Sequence, residues 1–116
     1  MNGDTGNNYS QHYLWGNANT SVGSGNNATA SSINCGGISY GISATNPRAF
    51  IVDLLDYTDT NKNKVVKILT GEDENGAGEV TFQSGVWRNS AAVTSLTVVM
   101  QNDFTNGSKI ALYGVL

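Results

Sequence analysis

Short stretches of alternating apolar and polar residues recur along the sequence, and most end at a Gly- or Asn-rich turn. A period of two sets neighbouring side chains on opposite faces of a strand, so these stretches are predicted to be strands. Lys64 to Thr70 places Val66 and Ile68 on one face and Val65, Lys67 and Leu69 on the other. Glu79 to Phe82 brings Val80 and Phe82 into register, a break is expected at Ser84-Gly85, and Val86-Trp87 resumes. Leu96, Val98 and Met100 alternate with Thr97, Val99 and Gln101, and Ile110 and Leu112 alternate with Ala111 and Tyr113. Tyr9 to Trp15, Ala49 to Tyr57 and the glycine-loosened Ile33 to Ile42 complete the set. Asn75-Gly76 and Asn106-Gly107 are hairpin-type turn signals. Only Asn89 to Thr94 suggests a helical turn, capped by Asn89 or Ser90. The pattern predicts an all-β chain: an antiparallel β-sandwich, jelly-roll-like, of about seven or eight strands.

At 116 residues the chain has the size of one domain, and residues 1–116 are read as a single β-sandwich. Its hydrophobic share, 39%, is enough for a core in which Trp87 and Tyr113 are expected to be buried. Charged residues make up only 13%, and 51 of the 116 residues are Asn, Gly, Ser or Thr. Much of that polar content lies in residues 17–32, which read as a Gly/Asn/Ser/Thr-rich loop. A loop with so little apolar content is expected to be ordered by an intersubunit contact. The net charge of −3 and six scattered cations argue against nucleic acid as a partner. No apolar run approaches the roughly 20 residues of a membrane-spanning helix, and the polar N-terminus does not read as a signal peptide.

Catalytic and metal chemistry find little footing. Cys35 is the single cysteine and is expected to be a small buried strand residue; His12 is the single histidine. No Gly-x-Ser-x-Gly elbow accompanies His12, and the paired carboxylates Asp53/Asp56 are read as loop and turn residues. Asp59 to Asn63 spaces oxygen side chains like the start of a calcium loop but lacks its central Gly and closing Glu. The Glu72–Glu79 tip is read as a solvated acidic turn. No catalytic, cofactor or metal residue is therefore assigned, and the chain is expected not to be an enzyme.

Contact chemistry is better represented. Ala49 to Tyr57 is apolar on both faces, so one face is expected in the core and the other against a neighbouring chain. Ile51, Leu55 and Tyr57 are the candidate subunit-interface residues. Tyr9, Tyr13, Trp15 and Tyr40 are amphipathic rings among small polar residues, suited to glycan stacking or subunit contact.

Four segments, Asn2–Gly16, Ala49–Val80, Ser84–Val98 and Gly107–Leu116, resemble in order the C-terminal domain of a family of tailed-bacteriophage virion structural proteins. The most specific elements are the turn at Asp56–Lys64, the Ser84–Asn89 bend and the terminal Ala111–Val115. The resemblance implies a non-enzymatic capsid-decoration, fibre or tail-appendage domain, made in the host cytoplasm and located in the virion. It implies a homo-oligomer, a trimer by preference, in contact with other virion proteins, and it supplies no catalytic residues. Family members carry further strands upstream of the first segment, so the chain reads as a fragment or as a sheet completed by another subunit. The alternative is a lectin-like receptor-binding domain that contacts host surface glycans.

Overall fold

The computed structural model describes residues 1–35, 48–73, 75–99 and 106–115. They build five strands: β1 (Tyr9–Asn17), β2 (Val22–Ala30), β3 (Ala49–Leu55), β4 (Lys64–Asp73) and β5 (Gly78–Trp87). All five lie in one sheet of order β2-β1-β5-β4-β3, antiparallel at every pairing. The chain is thus all-β, with a single five-stranded sheet and no helix among the described residues. A second sheet is not formed among them.

The register separates two faces. On one, Tyr9 and Gln11 of β1, Trp87 and Gln83 of β5, and Lys64, Val66, Ile68 and Thr70 of β4 are buried. Met1, Ala30, Ile33 and Leu54 pack against the cluster of Tyr9, Trp87 and Val93 on this covered side. Ile33 lies on Gly85, where an added Cβ would come within 2.8 Å of the isoleucine. The break expected at Ser84-Gly85 is therefore absent: β5 runs straight through, and the glycine makes room for Ile33.

Trp87 anchors this face. Its ring stacks on Tyr9 with centroids 6.4 Å apart, and its Nε1 donates to Asp4 Oδ2 at 2.7 Å. The Asp4 carboxylate also accepts from Gly6 N at 2.8 Å and from Asn8 Nδ2. These donors, the Trp87 indole first, hold the Asp4 carboxyl below its usual range. A carboxyl with a depressed folded-state pKa binds fewer protons when folded, so its contribution to stability is present above the unfolded value. That contribution is expected to disappear as pH falls from about 4 through the folded pKa. Thermal melts of the unmodified chain and of Asp4→Asn across this window check it; the variant should lose the Asp4-dependent part of the slope.

Several sequence expectations are corrected. Residues 17–32 are not one loop: 22–30 form β2, leaving the turn at 18–21 and the bend at 31–32. Asn17 Oδ1 shapes that turn by accepting from Asn19 N and Ser21 N, at 3.1 and 3.2 Å. β2 pairs along its length with β1 of the same chain. Its small residues are a packing requirement, because Trp15 lies 2.8 Å from where a Cβ on Gly23 would stand, and Tyr13 covers Gly25 likewise.

Residues 96–99 and 110–113 are not strands, and Tyr113 is exposed rather than buried, because neither stretch finds a ladder partner among the described residues. Of the expected strand at 33–42, only 33–35 are described, and they lie outside any strand. Cys35 is accordingly exposed and not on a strand. Asn89 to Thr94 makes no helical turn; Asn89 Oδ1 accepts from Ala91 N, and Val93 N donates to Tyr57 O at 2.7 Å.

Candidate functional site

The second face of the sheet is open, and a period of two places its residues in cross-strand rows. Leu14 of β1 stands opposite Phe82 of β5, Phe82 opposite Leu69 of β4, and Leu69 opposite Ile51 of β3. These four large apolar side chains, contiguous across four strands, are each between 47% and 63% exposed. On one side runs Gly16, Val80, Gly71 and Ala49, with Val22 beyond Gly16. On the other runs a polar row, His12, Ser84, Lys67 and Asp53, followed by Ser10, Val86, Val65 and Leu55. An apolar band with one polar row through it results.

Five strands about 4.8 Å apart and 7 to 10 residues long give this face a plan area on the order of 600 Å². A standard protein interface takes about 800 Å² from each partner, so the face is of interface size. Isolated exposed apolar residues are ordinary, whereas a contiguous row across four strands is a feature that calls for a physical account.

Of the residues singled out from sequence, Ile51 and Leu55 belong to this face, and Tyr57 is exposed in the turn just after β3. The expectation that one face of β3 lies in the core is met only in part, since Phe50 and Leu54 are half-buried and Val52 is exposed. Tyr13 and Trp15 lie half-buried on the covered side, their rings spread over the glycines of β2. Tyr9 is a core residue: it is 2% exposed, and its Oη donates to Asp4 O at 3.0 Å. Its ring is therefore not presented to a partner. Tyr40 lies outside the described residues.

The polar row does not assemble a hydrolytic site. Ser84 and Lys67 stand between His12 and Asp53, which puts three strand spacings, roughly 14 Å, between the imidazole and the carboxylate. Asp56 is elsewhere, in the turn after β3, paired with Lys62 at 3.0 Å. Glu72 pairs with Arg48, whose Nε donates to it at 2.9 Å, and Glu79 accepts from Thr81 Oγ1 at 3.0 Å. No three metal-ligating side chains converge among the described residues. The oxygen-rich turn at 59–63 wraps a cation of the chain's own. The Lys64 ammonium, fully buried, donates to the carbonyls of Asp59, Lys62 and Ser90 at 2.5, 2.7 and 3.1 Å.

Sequence reasoning missed the roles of Asp4, Lys64 and the open row. Alternation places Phe82 and Leu69 on strands, but only the pairing of β1, β5, β4 and β3 reveals that they are neighbours. A usable signal was present in β4, where Val65 and Leu69 make the second face apolar too. No family model, curated protein or solved structure matches the chain.

Proposed function

We propose that the chain is a non-enzymatic structural subunit of a tailed-bacteriophage virion, a capsid-decoration, fibre or tail-appendage domain that works as a homo-oligomer. The observation that carries the oligomeric part is the open apolar row Leu14–Phe82–Leu69–Ile51 on a face of interface size. The virion assignment is supported by the ordered resemblance of the four sequence segments to phage structural proteins. In this reading the jelly-roll-like sandwich is completed between chains, with a neighbour's strands covering the open face. A trimer follows by analogy with phage appendages.

Phe82 stands at the middle of the row, and a carboxylate there would have to be desolvated on association. Sedimentation of Phe82→Asp is expected to show association weakened by about 30-fold or more, the effect of losing a ~2 kcal/mol contact. Circular dichroism should show the fold retained, because the residue is already half exposed. A stable monomer of the unmodified chain at micromolar concentration overturns the reading. The glycan-binding alternative is favoured by the half-exposed Tyr13 and Trp15 platform. Specific glycan-array binding that is lost in Trp15→Ala, from a chain that stays monomeric, would put that alternative in its place.

A further inference from the structure

The open face is complementary to itself under one symmetry operation. Across β1, β5, β4 and β3 the apolar row reads Leu14, Phe82, Leu69 and Ile51, and the polar row His12, Ser84, Lys67 and Asp53. All of these side chains are exposed. Two identical sheets stack face to face when a two-fold axis lies midway between them. An axis across the strands, through the apolar row, turns the polar row onto Gly16, Val80, Gly71 and Ala49. Lys67 and Asp53 then lose water against uncharged residues, which is costly. An axis along the strands instead lays each row on its own copy with the strand order reversed. Centred on β5 it opposes His12 to Lys67, and centred on β4 it opposes Lys67 to itself. Centred between β5 and β4 it opposes His12 to Asp53, Lys67 to Ser84, Leu14 to Ile51 and Phe82 to Leu69.

We infer that two copies of this chain stack through their open faces about a two-fold axis that runs along the strands, between β4 and β5. This rests on the oligomeric reading above and names the partner surface and its symmetry. Each contact occurs twice: the His12 imidazole of either copy donates to the Asp53 carboxylate of the other, and Lys67 meets the Ser84 hydroxyl, which accepts from it. The apolar rows pack large on large, and in the row beside them Val80 lies over Gly71. β2 falls outside the overlap, and on this face it carries the polar Ser24 and Asn26, which stay in water. Packed sheets cross at about 30°, which offsets the outer pairs by roughly one residue and leaves the inner ones in register. Four of the five strands overlap, on the order of 500 Å² of plan area from each copy. The sum, about 1,000 Å², reaches the lower bound for a specific interface. Such a pairing closes at two copies, so a trimer formed through this face contradicts it.

Sedimentation of charge variants of the full chain tests this. His12→Glu sets carboxylate against carboxylate at both ends of the contact, and Asp53→Lys sets an ammonium against the imidazole. Each is expected to weaken self-association about tenfold or more. Circular dichroism should show both folded, since both residues are exposed. An equimolar mixture of the two variants should associate again as one-to-one pairs. In the mixed pair one end joins the new carboxylate to the new ammonium, and the other keeps the original imidazole and carboxylate. Ser84→Lys, which opposes the Lys67 ammonium, is an independent variant and should weaken association as well. Unchanged self-association of these variants, a mixture that stays dissociated, or a trimer of the unmodified chain formed through the open face overturns the inference while leaving the oligomeric reading intact. A monomeric unmodified chain overturns both.

Discussion

Trp87→Ala is expected to destabilise the chain by about 3–5 kcal/mol, a large part of the total for a domain of this size. The side chain is 1% exposed, stacks on Tyr9 and donates to Asp4, so truncation removes ring contacts and leaves the Asp4 carboxylate without its closest donor. The buried cluster around it is small, with Tyr9 and Val93 as its other members among the described residues. Urea unfolding followed by circular dichroism measures the loss. Trp87→Phe separates the two contributions, since it keeps an aromatic ring near Tyr9 and removes only the indole donor. It should cost clearly less than the alanine variant. A loss below about 1 kcal/mol for Trp87→Ala would mean that the face is held elsewhere.

Lys64→Met is expected to cost about 2–4 kcal/mol, through acceptors rather than packing. Methionine matches the length of the lysine stem but leaves the carbonyls of Asp59, Lys62 and Ser90 without their shared donor. The range lies below the sum of three fully orphaned acceptors because Asp59 and Lys62 sit in a surface turn that water can reach. Lys64→Arg should not restore stability, since a planar guanidinium does not reproduce a compact three-way ammonium. Chemical denaturation gives the magnitude. Hydrogen exchange at 59–63, faster in both variants than in the unmodified chain, identifies the turn as the part released.

How far the sequence disclosed this fold depends on the reach of each interaction. β4 is legible through its local alternation and β3 as an apolar run; β1 and β5 are legible in outline, β5 as two pieces that Gly85 in fact joins. The hairpin turn at Asn75-Gly76 is legible because its signal is local too, and both residues adopt positive φ, 56° and 97°. β2 is not legible, because its identity as a strand is conferred by β1: Val22–Ala30 has almost no apolar signal, and its glycines Gly23 and Gly25 serve the rings of Trp15 and Tyr13 on the neighbouring strand. The stretches 96–99 and 110–113 show the reverse, β-propensity present with no ladder among the described residues. The network that closes the covered face joins positions more than eighty residues apart. Asn2 Oδ1 accepts from Thr94 N at 2.8 Å, and Arg88 donates to Asn7 O at 2.6 Å. No spacing rule in a single sequence announces such pairs.

The pairing of β1 with β5 carries a consequence for synthesis. Tyr9 stands opposite Trp87, so β1 must wait for β5, made about seventy residues later, before it has both of its described neighbours. Contacts of such sequence separation form slowly, and nascent chains emerge at only about 5–20 residues per second. During that wait, the one native partner of β1 already made, among the described strands, is β2, joined to it as a local hairpin. The polar, glycine-bearing composition of β2 then has a second use. With Val22 as its only large apolar residue, β2 gives the early hairpin an outer edge that offers other nascent chains little to adhere to. The apolar strands β3, β4 and β5 arrive later and in close succession, so the stickiest part of the sheet spends the least time on the ribosome without its centre.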